Sequence, residues 1–170
     1  MERKNLLPPA LMERLRRHLY EIDFVYRRLP GVLERAGLVT TVQQWGEVFR
    51  DQMASTRDHR ATLAQLVVFW GQRLRPCACT EVDTLLNELN HALVSRAGTS
   101  GLDRRLHQLF TDLRRIVMER LDEGIDLAQR LGELDLARGL EALVLVEHAQ
   151  QQRMSAPWEG DGRAAAMSAA

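Results

Sequence analysis

The chain has 170 residues, which is the size of one ordinary domain, and 45% of them are hydrophobic while 27% are charged. It carries 23 Lys and Arg against 23 Asp and Glu, so its formal net charge is zero. That balance argues against a dedicated nucleic-acid-binding protein and against a polybasic membrane-surface protein, because both need an excess of positive charge on one face. We therefore expect no nucleic-acid partner.

The apolar runs and the cysteines exclude two further classes. The longest unbroken apolar runs have five residues, and no apolar h-region of the signal-peptide type follows the charged start at residues 1–4. We expect neither a membrane span nor a signal peptide, because both need longer apolar segments. Cys77 and Cys79 are the only cysteines and do not make a disulfide framework, so we expect a cytoplasmic protein in which they serve packing.

The first predicted helix begins at Pro8–Pro9, since proline suits the first turn of a helix. Pro30 lies inside it, and we expect a kink there rather than a break because the apolar pattern continues beyond it. We expect Gly37 to end the helix. The apolar positions recur every three or four residues, which is typical of packed helices: Met12, Leu15, Leu19, Ile22, Tyr26, Leu29, Leu33 and Ala36.

A second helix is predicted from Thr41, with Gln44 in the capping-box position, to Leu74. After a linker over residues 75–79, Thr80 begins a short helix, and residues 97–101 form a loop by composition. A third long helix follows from Leu102 and is closed by Gly132.

The last long helix runs from about Leu134 to Met154, and we expect residues 155–170 to form a disordered tail. The sequence thus predicts an all-α fold, an antiparallel four-helix bundle over residues 8–154 with one short accessory helix.

Polar residues interrupt the apolar faces at a similar level in three of the long helices. In the second helix they are Gln52, Thr56 and His59, in the last helix Glu147, and in the first Glu21 and Asp23, which flank Ile22. Helical bundles build carboxylate-bridged metal sites in such a layer, with a Glu from each of two helices and a Glu-x-x-His from each of the other two. Thr56-x-x-His59 has that spacing without the carboxylate, and no His stands three residues after Glu147, so the full set is missing.

Several short segments carry a resemblance from about residue 12 to residue 154. They are Leu19-Tyr20-Glu21 with Leu29-Pro30, the stretch from Met53 to Leu63 with His59, Cys79 before the short helix, and Gly132 followed by Leu140 to Met154. In this order and at these separations they resemble the bacterial ferritin-like proteins of the YciE/YciF stress-induced type.

That resemblance implies a ferritin-like bundle and, in the family, a di-iron site. This chain departs from the family where members carry acidic residues before the position of His59, since it has Ala54, Ser55 and Thr56 there. It also has arginines in the third long helix where members carry a Glu-His pair, and an arginine cannot ligate a cation. The candidate metal ligands that remain, for iron or manganese, are His59, Glu147, Glu21 and Asp23.

Each candidate has a structural alternative. His59 is either a ligand or a core histidine hydrogen-bonded to Glu147 or to a backbone carbonyl, and the missing carboxylates favour the second interpretation. A buried Glu147 needs a partner such as His59 or Arg115. For Glu21 and Asp23 the pattern favours an exposed helix flank with partners such as Arg27, and for Arg114-Arg115 a solvated face.

Three hypotheses for function follow. The first is a ferritin-like protein of stress-response type with a degenerate or absent di-metal site. The second is a working iron- or manganese-dependent oxidoreductase or iron-handling protein with the reduced ligand set. The third is a helical adaptor for a protein partner, since the apolar cluster Leu66–Trp70 is buried either under the short helix, which we favour, or in a homodimer contact. Trp158 in the tail is a candidate docking residue, and no catalytic constellation or cofactor motif is present.

Overall fold

The computed structural model describes residues 9–40, 43–95 and 100–168, with side chains up to residue 154 in the last range. These ranges contain helices and no strand, so the all-α prediction is confirmed for them. The helices in chain order are α1 (Pro9–Val39), α2 (Gln43–Phe69), α3 (Thr80–Ser95), α4 (Ser100–Arg130) and α5 (Leu134–Ser168). None of them combines the length and apolarity that crossing a membrane requires.

The four long helices form a ring in the order α1, α2, α5, α4. Each neighbouring pair runs antiparallel, as the contacts between α1 and α4 illustrate: Arg14 meets Glu123, whereas Thr40 meets Asp103. In the other three neighbouring pairs, too, residues nearer the start of one helix contact residues nearer the end of the other. The predicted antiparallel four-helix bundle is therefore present, with α1 opposite α5 and α2 opposite α4.

The short helix α3 packs against α1 and α4. It runs parallel to α1, where Arg35 donates to Asn90 and Arg28 lies near Asp83. The expectation that it covers the apolar cluster Leu66–Trp70 is wrong, because α3 lies across the opposite face of the bundle from the end of α2. Phe69 is 81% exposed as a result.

Two glycines set helix ends by adopting the left-handed conformation that favours glycine. At the end of α2, Gly71 (φ 78°) donates to the carbonyl of Val68, and Gln72 donates to that of Val67. The same motif closes α4 at Gly132 (φ 75°), as predicted. The prediction that α2 reaches Leu74 is wrong, because this cap stops the helix after Phe69.

Other boundaries differ by smaller amounts. Helix α1 passes through Pro30 and continues two residues beyond Gly37, where we expected its end. A Cβ at Gly37 would stand 3.8 Å from the carbonyl oxygen of Gly46, an ordinary contact distance, so α1 could accommodate a small side chain where it lies against α2. Beyond Met154, where a disordered tail was expected, the backbone of α5 continues as a helix to Ser168. The predicted cap at Thr41 and residues 97–99 of the loop predicted over 97–101 lie outside the described residues. Ser100 and Gly101, which were expected in that loop, belong to α4 instead.

The inner faces of the helices match the predicted pattern with few exceptions. The described apolar positions predicted for α1 are buried except Met12, which is half-buried. Near the end of α2, Val67 is buried whereas Leu66 is half-buried, and in α5 Gln150 is buried whereas Gln151 is half-buried.

Candidate functional site

All four long helices send polar side chains into the middle of the core. We name this set the polar layer, and its members are Tyr26 from α1, Gln52, Ser55, Thr56 and His59 from α2, Arg114 from α4, and Glu147 and Gln150 from α5. In α2 the layer lies inside because Gln52, Thr56 and His59 continue the three- and four-residue spacing that places Phe49 and Leu63 in the core.

Glu147 is the centre of the layer and is only 5% exposed. Its Oε1 accepts a hydrogen bond of 2.8 Å from the hydroxyl of Tyr26 and lies 2.8 Å from Nδ1 of His59. Its Oε2 accepts from Nη1 of Arg114 at 2.7 Å. The pairing of Glu147 with His59 agrees with the structural alternative above, whereas the cationic partner is Arg114 and not Arg115, which is exposed and pairs with Glu119.

Arg114 connects the carboxylate to the amides of the layer. Its Nη2 donates to Oε1 of Gln52, whose Nε2 donates to Oε1 of Gln150 at 2.7 Å. Gln150 in turn donates to the hydroxyl of Ser55, and Thr56 donates to the carbonyl of Gln52 at 2.7 Å. The buried polar groups of the layer therefore satisfy one another, which is the condition under which a polar core is stable.

The protonation states follow from this geometry. Burial by itself raises the pKa of Glu147, but the hydrogen bond from His59 and the charge of Arg114 outweigh it, so that the pKa lies below its usual value of 4.5. Burial and the neighbouring carboxylate raise the pKa of Tyr26 well above 10.0. At neutral pH, Glu147 is an ionised acceptor and Tyr26 is a neutral donor.

The structure places Glu21 apart from the polar layer. Glu21 is buried and accepts from Arg17 at 2.9 Å and from Arg120 of α4 at 2.7 Å. Arg120 also lies 3.4 Å from Glu81 of α3. The expectation of an exposed flank is wrong for Glu21, because Arg120 and the neighbouring α3 cover it.

Asp23 is also buried, at 2% exposure, and faces α2. It pairs with Arg27 at 3.0 Å, as expected, and accepts from Arg60 of α2 at 2.9 Å. Here too the expected exposure is wrong, although the expected partner is correct. The structure thus brings His59 and Glu147 together and holds Glu21 and Asp23 in separate arginine pairs.

The residues of the polar layer do not fit a di-metal centre. Both carboxylate oxygens of Glu147 are already engaged, and one of their partners is the guanidinium of Arg114, which cannot ligate a metal and repels one. The part of the chain that the structure describes holds no cluster of three or more His, Cys, Asp or Glu suited to a metal ion.

Two members of the layer, Arg114 and Gln150, were not expected there from the sequence. Arg114 was expected in solvent, but it is four residues after Phe110 and three before Val117, both of which are buried. Gln150 is likewise three residues after Glu147 and four before Met154. The spacing of buried neighbours was the available signal, and the polarity of the side chains concealed it.

The two cysteines lie away from this layer. Both are free thiols, Cys79 buried and Cys77 half-buried. Burial and the nearby Glu21 raise the pKa of Cys77, which disfavours the reactive thiolate. This agrees with the packing role expected for the pair.

Comparison with known proteins gives a likeness in structure. No family model matches the chain, and no curated protein does. The E. coli stress protein YciF is similar in structure with a TM-score of 0.79 at 15% identity, covering 87% of this chain and 94% of that one. YcfI from Rhodopseudomonas palustris is similar with a TM-score of 0.71 at 20% identity, covering 86% of this chain and 90% of that one. The chain therefore has the fold of the YciF-type proteins in a diverged sequence.

Proposed function

We propose that this protein is a ferritin-like bundle protein of stress-response type that acts without a di-metal centre and without catalysing a reaction. The observation that carries the proposal is the ion pair between Arg114 and Glu147, which places a cationic side chain at the level where a metal would be held. The fold shared with the stress protein YciF supports the stress-response part.

The charges of the layer support a role without metal. One guanidinium faces one carboxylate, so the buried charges compensate each other without an added ion. A working di-iron or di-manganese centre with the reduced ligand set has less support, because metal entry would have to displace this pair and would add positive charge beside Arg114.

Metal analysis of the protein purified from cells supplemented with iron and manganese tests this directly. We expect far less than one metal atom per chain, and the same trace content in His59→Ala. Two atoms per chain in the wild type, lost in His59→Ala, would contradict the proposal and favour the oxidoreductase or iron-handling hypothesis.

A complementation experiment tests the biological part. A strain lacking the gene should survive osmotic or peroxide stress less well, and the wild-type protein should restore survival. His59→Ala, once circular dichroism shows that it is folded, should restore survival to the same extent, because no metal chemistry is required. Equal survival with and without the gene under both stresses would contradict a stress-response role.

An adaptor role is the second candidate, and an exposed apolar surface favours it. Val68 and Phe69 at the end of α2 are 66% and 81% exposed, and Leu134 at the start of α5 is 56% exposed. A cleft of about 480 Å³ lies beside them and includes Trp70 and Leu136 in its lining. Exposed apolar side chains that border a cleft are typical of protein-binding surfaces.

Substitution on this surface tests the adaptor role. Phe69→Asp should abolish binding of a copurifying partner, or convert a homodimer to a monomer in light scattering. Val94→Asp is the matched control, because Val94 is equally exposed but lies on α3. The same partner content and mass in both variants and in the wild type would contradict the adaptor role.

A further inference from the structure

We infer that Arg114 is an internal cation that stands in place of bound metal, and that the polar layer is a cation-binding shell that accepts a free cation once the guanidinium is removed. This inference rests on the proposed absence of metal from the wild-type protein. It goes further, since it assigns a binding capacity to the residues around Arg114.

The positions of the layer follow the arrangement of a di-metal bundle. A di-metal bundle places a Glu-x-x-His on each of two helices and a single Glu on each of the other two. Here α2 presents Thr56-x-x-His59 and α5 presents Glu147-x-x-Gln150, each with one member of the pair kept.

The remaining two helices complete the pattern. Helix α1 presents Tyr26 alone and α4 presents Arg114 alone, and both contact Glu147. Two helices thus present paired positions and two present single positions, as in a di-metal layer. The cation in this layer is the guanidinium of Arg114, a side chain of the protein itself.

The contacts of Arg114 show how a cation is held in this layer. Its guanidinium is held by Oε2 of Glu147 from α5 and by Oε1 of Gln52 from α2, so two oxygens from two helices converge on one positive group. Arg114 is only 7% exposed. Its replacement by alanine would leave an ionised carboxylate, an amide oxygen and the space that the buried guanidinium filled, whereas the loss of Arg115 would leave only an exposed gap.

Chemical rescue tests the shell with a cation of the same chemistry. Arg114→Ala should melt well below the wild type, and millimolar methylguanidinium should raise its melting temperature by several degrees. Methylguanidinium should not stabilise the wild type, the exposed control Arg115→Ala, or Arg114→Ala combined with Glu147→Gln, in which the anionic partner is gone. If Arg114→Ala alone is unfolded, the readout is recovery of helical circular dichroism on titration.

Restoring carboxylates tests the equivalence with a metal layer. Thr56→Glu combined with Arg114→Glu would complete Glu-x-x-His on α2 and supply a single Glu from α4, beside Glu147. This double variant should bind Co²⁺ with visible absorption bands and gain thermal stability from it. The control, Ala54→Glu combined with Arg115→Glu, adds the same charge at exposed positions on the same helices and should do neither.

The outcomes separate this inference from the proposed function. Absence of methylguanidinium rescue would overturn the cation-binding shell, and rescue without Co²⁺ binding by the carboxylate variant would overturn the equivalence with a metal layer. Metal in the wild-type protein would instead contradict the proposed function. A variant that folds only with Co²⁺ supports the inference, and one that folds neither with nor without it overturns the equivalence.

Discussion

The hydroxyl of Tyr26 on α1 donates to Glu147 on α5 at 2.8 Å, joining two helices that lie opposite each other in the bundle. Arg114 on α4 donates to Gln52 on α2 and joins the other opposite pair. Because Arg114 also binds Glu147, the two connections share a member. A single change in this layer therefore acts on all four long helices.

Glu147→Leu should destabilise the protein by about 3–5 kcal/mol, because it leaves Arg114 buried without its counter-ion. Glu147→Leu combined with Arg114→Met should recover a substantial part of that loss. Urea denaturation of the wild type, both single variants and the double variant gives the coupling directly. The surface pair Arg115–Glu119, changed to Met and Leu, is the control and should cost less than about 1 kcal/mol. A double variant no more stable than Glu147→Leu would show that the pair is not the dominant interaction.

Stability should fall in acid partly because of Glu147. Its folded-state pKa lies below its unfolded value, so the stabilisation is fully present above the unfolded value near 4.5 and is lost as the pH falls through the folded value. The free energy of unfolding, measured in urea from pH 7 down to about pH 3, should therefore decline less steeply for Glu147→Gln than for the wild type. Glu119→Gln on the surface should follow the wild type. Parallel curves for the wild type and Glu147→Gln would exclude Glu147 as a contributor.

Gly139→Ala should destabilise the contact between α2 and α5 by about 1–3 kcal/mol, since its Cβ would overlap the side chain of Leu66. Leu66→Ala in the same chain should relieve the overlap, which a double-mutant cycle in urea detects as coupling. Gly31→Ala is the control, because its Cβ would meet nothing closer than 3.9 Å, and helix propensity should make it stabilising by about 0.5–1 kcal/mol. A neutral Gly139→Ala would mean that Leu66 moves aside without cost.

Truncation after residue 156 should leave the melting temperature unchanged, because the removed residues are mostly small, polar or alanine and have little apolar surface to bury. Truncation after residue 149 removes both Gln150 and Met154 and should lower the melting temperature by several degrees. A comparable drop for the shorter deletion would indicate that the tail docks on the bundle. Trp158→Ala in the full chain would then identify whether that residue anchors it.

Local patterns in the sequence determined the helices and much of what they bury. The three- and four-residue spacing identified the buried apolar positions of α1 between Leu15 and Ala36. Gly132 ended α4 because glycine adopts the left-handed conformation of this helix cap. The pairing of His59 with Glu147 was among the alternatives that the sequence offered, because buried polar residues at one level of a bundle need hydrogen-bond partners.

Only the tertiary structure decided the partners of the charged residues. Helical period fixes which stripe of a helix faces inward, and Leu113 and Arg114 both lie at that stripe in α4. A long arginine side chain is buried in the core only if a hydrogen-bond acceptor for its guanidinium is present there. Glu147 supplies that acceptor from a different helix, 33 positions along the chain. Likewise Asp23 is buried because Arg60 of α2 reaches it, a contact that depends on how α1 and α2 lie against each other. Periodicity within one helix carries no information about such distances between helices, so the ion pair between Arg114 and Glu147 became visible only in the folded chain.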